Sequence, residues 1–130
     1  MTLEDITKEI SECKNCDLYK HRSHTVPGAG SLSDIVVIGD APGSKEDQEG
    51  LPFVGPAGKV LTDLLLSAGI TRDSVFITNL VKCRPPENRV PNFDEMLCCR
   101  DFLDAQIAII NPKLVILLGV PAVQQFLPIQ

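Results

Sequence analysis

One pattern, repeated three times, limits what this chain can fold into: a short aliphatic run, then turn residues, then apolar residues at helical spacing. Ile35-Val36-Val37-Ile38 is continuous and ends at Gly39, as in a strand covered on both faces within a parallel sheet. A long loop follows. Residues 57 to 68 then place Val60, Leu61, Leu64 and Leu65 on one helical stripe, with Gly69 where a left-handed cap is wanted. Val75-Phe76-Ile77 reads as the second strand. Asn92 with Glu95 is an N-cap pair, and Met96, Cys99, Phe102, Leu103, Gln106 and Ile107 keep helical spacing to about Ile110. Leu114 to Leu118 is the third strand, and Gly119 with Pro121 opens a last helix, which the chain ends inside or just after. Such alternation predicts right-handed crossovers and a three-layer α/β/α fold around a parallel sheet. Open sheets of this kind bind ligands at the carboxyl ends of their strands, here Gly39-Asp40, Thr78-Asn79 and Gly119.

The first 33 residues do not follow this pattern. Thr2 can cap a helix over residues 3 to 12, where Leu3, Ile6 and Ile10 repeat at helical spacing, and that helix runs into Cys13. From Lys14 to Ser33 no apolar period survives, and Pro27-Gly28-Ala29-Gly30 is turn chemistry. This segment needs another anchor. The 130 residues suit one domain, with residues 1–33 as an anchored N-terminal segment and 34–130 as the βα units.

Composition narrows the function classes. With 17 acidic against 12 basic residues the net charge is −5, unlike a strongly basic non-specific nucleic-acid binder, although a local basic surface remains open. The longest stretch without a polar side chain, Leu114 to Val123, contains Gly119 and Pro121 and is too short to span a bilayer. Met1-Thr2-Leu3-Glu4-Asp5 is acidic where a secretory signal is basic and then apolar, so a cytoplasmic protein is expected. In that reducing compartment five cysteines, an odd number, point to metal ligation rather than a disulfide framework.

Three constellations carry chemistry. Cys13-Lys14-Asn15-Cys16 is a C-x-x-C pair, and Cys83 and Cys98-Cys99 supply further thiols. Four thiolates suit zinc or an iron-sulfur cluster; a redox pair and two buried helix cysteines are the alternative. Cys99 shares the stripe of Met96 and Phe102 while Cys98 is turned about 100° away, so Cys99 is the chosen ligand. The loop from Gly39 to Gly58 has three internal glycines and leads into a helix N-terminus, a favourable place for an anion, but it matches no Walker or dinucleotide fingerprint. A solvated surface loop is the plain alternative, against which Phe53, between Pro52 and Val54, stands out as an aromatic able to stack on a base. After the second strand, Lys82, Arg84 and Arg89 oppose Glu87, a net charge of +2 that could meet a DNA backbone or simply be solvated. Asn79 is either a turn former or an amide that pairs with the edge of a flipped base.

Together the C-x-x-C pair, Gly39-Asp40-Ala41-Pro42-Gly43, Pro52-Phe53-Val54-Gly55, Thr78-Asn79 and Lys82-Cys83-Arg84-Pro85-Pro86 closely resemble the family 4 uracil-DNA glycosylases, over essentially the whole chain and in the same order. The resemblance implies an iron-sulfur enzyme of base excision repair that hydrolyses the N-glycosidic bond of deoxyuridine in DNA. It implies a 4Fe-4S cluster on Cys13, Cys16, Cys83 and Cys99, uracil-containing DNA as partner, and a monomer. It makes Asp40 the catalytic carboxylate, where the family usually has Glu. Ala41, Gly43, Glu46, Phe53 and Asn79 become the uracil pocket, with Phe53 stacking, Asn79 reading the base edge and Glu46 crowding a thymine methyl. Full-length relatives add a fourth strand and a His-Pro-Ser motif, which these 130 residues do not contain. A non-catalytic iron-sulfur module that keeps the pocket is therefore the second reading.

Overall fold

A computed structural model describes residues 1–127. In chain order it has α1 (Leu3–Ser11), β1 (Ile35–Gly39), α2 (Ser44–Glu49), α3 (Pro56–Ser67), β2 (Phe76–Asn79), α4 (Phe93–Ile110), β3 (Leu114–Leu117) and α5 (Val120–Phe126). All three strands are parallel, in the order β2-β1-β3. The expected α/β/α architecture is therefore present. The register sets Val37 beside Ile77 and Ile116, and Ile38 beside Thr78 and Leu117, so the ends of β1 and β2 finish level at Gly39 and Asn79.

Alternation along β1 builds two cores. Val36 and Ile38 face one side, where they pack with Phe76, Leu103, Ile110 and Ala122. Val37 faces the other, with Leu61, Leu65, Val75 and Ile77, as the two-residue side-chain period of a strand requires. Each fully buried valine or isoleucine stabilises the fold by about 1.5–3 kcal/mol. The capping signals also hold: the Thr2 and Asn92 side chains accept from the backbone N–H of Asp5 and Glu95.

Three expectations need correction. The long loop after β1 contains a helix, α2, which ends on Gly50 at φ 72°; Ser44 to Glu49 has no apolar period to reveal it. Only Leu61 and Leu65 of the predicted stripe are buried, whereas Val60 and Leu64 are more than half exposed, because α3 presents a narrower face to the sheet. The second strand starts at Phe76 and runs on to Asn79. The expectation that the chain ends within or just after the last helix bears partly on residues 128–130, outside the described residues.

The irregular N-terminal segment is tied to the sheet by polar contacts. Ala29 and Ile77 exchange backbone hydrogen bonds of 2.9 Å across the open edge of β2. The Pro27 carbonyl accepts from Thr78 Oγ1 and Gln106 Nε2, both at 2.8 Å. Asp47 of α2 is buried and accepts from the Ser23 and His24 backbone N–H groups. Among the described residues no helix is long and apolar enough to cross a membrane.

Candidate base pocket and cysteine cavity

The ends of β1 and β2 and the two loops after β1 enclose a cavity of about 200 Å³ lined by Ala41, Gly43, Glu46, Phe53, Ala57 and Asn79. It opens into a larger recess bounded by Asp40, Val60, Leu64 and Leu118. Asn79 is only 2% exposed. Its backbone carbonyl accepts from Lys82, while among the described residues its side-chain amide has no hydrogen-bond partner. A donor and an acceptor thus face the cavity unused.

The opposite wall is Phe53, at φ 51°, a conformation that bulky residues rarely adopt. Close approaches on both sides hold it there. A Cβ on Gly39 would fall 2.5 Å from the Phe53 ring and 2.6 Å from Asn79 Oδ1, so Gly39 lets aromatic and amide face the same space. A Cβ on Gly58 would fall 1.8 Å from the Phe53 carbonyl oxygen. Gly58→Ala is therefore expected to lower the melting temperature, with a loss of about 1–3 kcal/mol from overpacking; an unchanged melting temperature would mean that this carbonyl does not pack on α3.

Glu46 joins the two loops. Oε1 accepts from the Gly43 N–H at 3.0 Å, and Oε2 from the Val54 and Gly55 N–H groups at 2.9 and 2.7 Å. Both oxygens are thus engaged with backbone at the cavity wall. Asp40, at the end of β1, accepts from the Ala122 N–H at the start of α5 at 3.0 Å. Burial pushes its carboxyl above the usual carboxylate range, and the hydrogen bond from Ala122 partly opposes this.

The basic loop is organised differently from its sequence expectation. Lys82, expected at the surface with Arg84 and Arg89, is 1% exposed. Its Nζ donates to Thr78 Oγ1 at 2.6 Å and to the Asn79 carbonyl at 2.8 Å. Burial lowers its pKa to about 7, partly opposed by Cys99. It does not reach a phosphate from there. Arg89 makes a bidentate pair with Glu95, 2.7 Å at each oxygen, which holds the Glu95 carboxyl below the usual range. Arg84 donates to Asn88 Oδ1 at 2.7 Å.

A second cavity, of about 10 Å³, is lined by all five cysteines, together with Tyr19, Arg22, Lys82 and Phe102. Cys83 and Cys99 are buried against Leu18 and Val81, and Cys16 packs beside them. Burial raises the Cys16 and Cys83 thiols, and pushes Cys99 up to about 12. Two basic side chains face them: Arg22 Nη1 lies 3.2 Å from Cys83 Sγ, and Lys82 lies beside Cys99. Cys98 Sγ donates to the Asn15 carbonyl at 3.3 Å. Among the described residues no three His, Cys, Asp or Glu donors converge as a site for a metal ion. Sequence reasoning missed Arg22, Arg72 and the inward turn of Lys82, since no local periodicity signals which polar partner each side chain finds.

The uracil DNA glycosylase superfamily matches residues 27–130. The chain is 51% identical over 120 residues to a type-4 uracil-DNA glycosylase of Sulfurisphaera tokodaii, covering 91% of this chain and 54% of that protein. It is 48% identical over 119 residues to the type-4 enzyme of Archaeoglobus fulgidus, 91% of this chain and 60% of that one. For the type-4 enzyme of Thermotoga maritima the identity is 46% over 125 residues, 95% of this chain and 65% of the relative. The chain thus spans 54 to 65% of the length of these relatives. From the superfamily match and these identities, the chain belongs to the uracil DNA glycosylase superfamily and is similar there to the type-4 enzymes.

Proposed function

We propose that this chain binds uracil flipped out of DNA and serves hydrolysis of its N-glycosidic bond. The observation that carries the reading is the convergence of Ala41, Gly43, Glu46, Phe53 and Asn79 on one cavity at the strand ends. A flipped base enters the cavity beside the Phe53 ring, and stacking repays part of the unpairing cost. Asn79 Oδ1 accepts from uracil N3–H and its Nδ2 donates to O4. Cytosine presents the reverse pattern, which would leave buried polar groups unpaired. In the reaction water oxygen bonds to C1′ as the C1′–N1 bond breaks, the electron pair leaves on uracil, and the proton shed by the water ends on the departing uracil anion. Asp40, at the mouth of the cavity, is the group for aligning that water and stabilising the cationic sugar. Glu46 keeps Gly43 and the Phe53 loop at fixed separation, and its bulk at the wall crowds a thymine methyl. Arg84 is the remaining candidate for a DNA phosphate.

The donor chemistry of the cysteine cavity fits an iron-sulfur cluster: thiols from three separate chain segments line one cavity with Arg22 and Lys82, and a thiolate-ligated cluster is anionic. Cys13, Cys16, Cys83 and Cys99 would hold it, and when bound it supplies a structural cross-link between the N-terminal segment and α4. The narrow cavity means that the thiols would spread to admit it.

Phe53→Ala tests the base pocket. Uracil affinity measured by calorimetry is expected to fall by about 1–3 kcal/mol, the range for base stacking on aromatics, with little change in melting temperature. A core aromatic would instead cost about 3–5 kcal/mol of stability, and a stability loss that accounts for the binding loss would overturn the assignment.

A further inference from the structure

Arg72 lies in a short 3-10 turn between α3 and β2, remote in sequence from the loop it holds. Its Nη1 donates to the Phe53 carbonyl at 2.6 Å, and its Nη2 to the Pro52 carbonyl at 2.6 Å. Nη1 also lies 3.2 Å from Thr62 Oγ1 and 3.4 Å from the Gly58 carbonyl, which fixes the guanidinium against α3. A planar fork holds two successive carbonyls in one fixed geometry, which a flexible ammonium does not preorganise. Phe53 between them keeps φ 51° and its ring against Gly39. Left to itself, the backbone of a bulky residue would relax out of that conformation and swing the ring off the cavity.

We infer that Arg72 is a positioning residue for base stacking, acting on uracil solely through the pose of Phe53. The inference rests on the reading of Phe53 as the stacking residue. No cavity of the proposed site is lined by Arg72, so a direct contact with the base is not what it offers. Loss of the fork returns the loop to many conformations, only a fraction of which stack, and apparent affinity falls by that fraction.

The test is a double-mutant cycle read by uracil calorimetry well below the melting temperature. Arg72→Ala is expected to weaken uracil binding about tenfold, within the range that stacking supplies, and to add nothing in the Phe53→Ala background. Millimolar methylguanidinium is expected to restore part of the affinity of Arg72→Ala and none of that of the double variant. Should Arg72→Ala not fold, Arg72→Lys carries the same cycle, because it keeps the charge but lacks the rigid fork that fixes both carbonyls. Unchanged affinity, or an equal further loss without Phe53, would overturn the positioning role while leaving the stacking reading intact. If Phe53→Ala itself binds uracil normally, the stacking reading falls and the inference with it.

Discussion

Uracil release from single-stranded DNA by these 130 residues is expected to run about 100- to 1000-fold slower than by a fusion carrying a C-terminal segment with the His-Pro-Ser motif that the family resemblance implies, the worth of one preorganised donor. Cleavage develops positive charge on the sugar and negative charge on uracil, and both ends need groups fixed in advance. In the proposed reaction Asp40 would address the sugar and Asn79 the base edge. The two histidines do not line the cavity, and His24 Nδ1 lies 2.9 Å from the Asp47 carbonyl. A strand-nicking assay with alkali cleavage of abasic sites compares the two proteins directly. Equal, robust rates would mean that a group present here, such as Glu46 or His24, supplies the charge stabilisation. In the fusion, the raised Asp40 carboxyl should make the rate fall on acidification at a higher pH than an exposed aspartate would, since only the carboxylate aligns water. Asp40→Asn should remove that limb of the profile.

The second large effect is expected at the cysteine cavity. Protein purified without oxygen should be brown, with a broad band near about 400 nm from thiolate-ligated iron-sulfur. Cys99→Ala should lose the band and much of the stability, because a structural metal centre contributes on the order of 10 kcal/mol to folding. Cys98→Ala should keep both, since that thiol is half-buried and hydrogen-bonded to the Asn15 carbonyl. Visible spectra and thermal melts of the two variants decide the matter: the reverse pattern would make Cys98 the ligand. Colourless wild-type protein containing zinc would replace the cluster by a single ion.

Local pattern determined much of this protein. The β-branched run at Ile35 to Ile38 and the capped helix from Asn92 carry their own periodicity, so strand, helix and sheet direction follow from residues near one another in sequence. The strand-end rule likewise brings Asp40 and Asn79 to one edge, and the motifs around Phe53 and the cysteines identify the family. What sequence alone did not decide are the polar partnerships, near or far along the chain. Lys82 reads as a surface cation, yet the buried acceptors Thr78 Oγ1 and the Asn79 carbonyl draw it inward. Arg89 reads as free, yet Glu95 engages both its nitrogens. Glu46 reads as a solvated acid, yet three backbone N–H groups from two loops converge on it. Arg72 reaches back 19 residues to Phe53. Each of these polar groups finds its lowest energy with whichever partner tertiary folding brings within about 3 Å, and no local propensity encodes that choice. The apolar framework is therefore written locally, whereas the pose of the pocket walls is decided only when the loops close on the sheet.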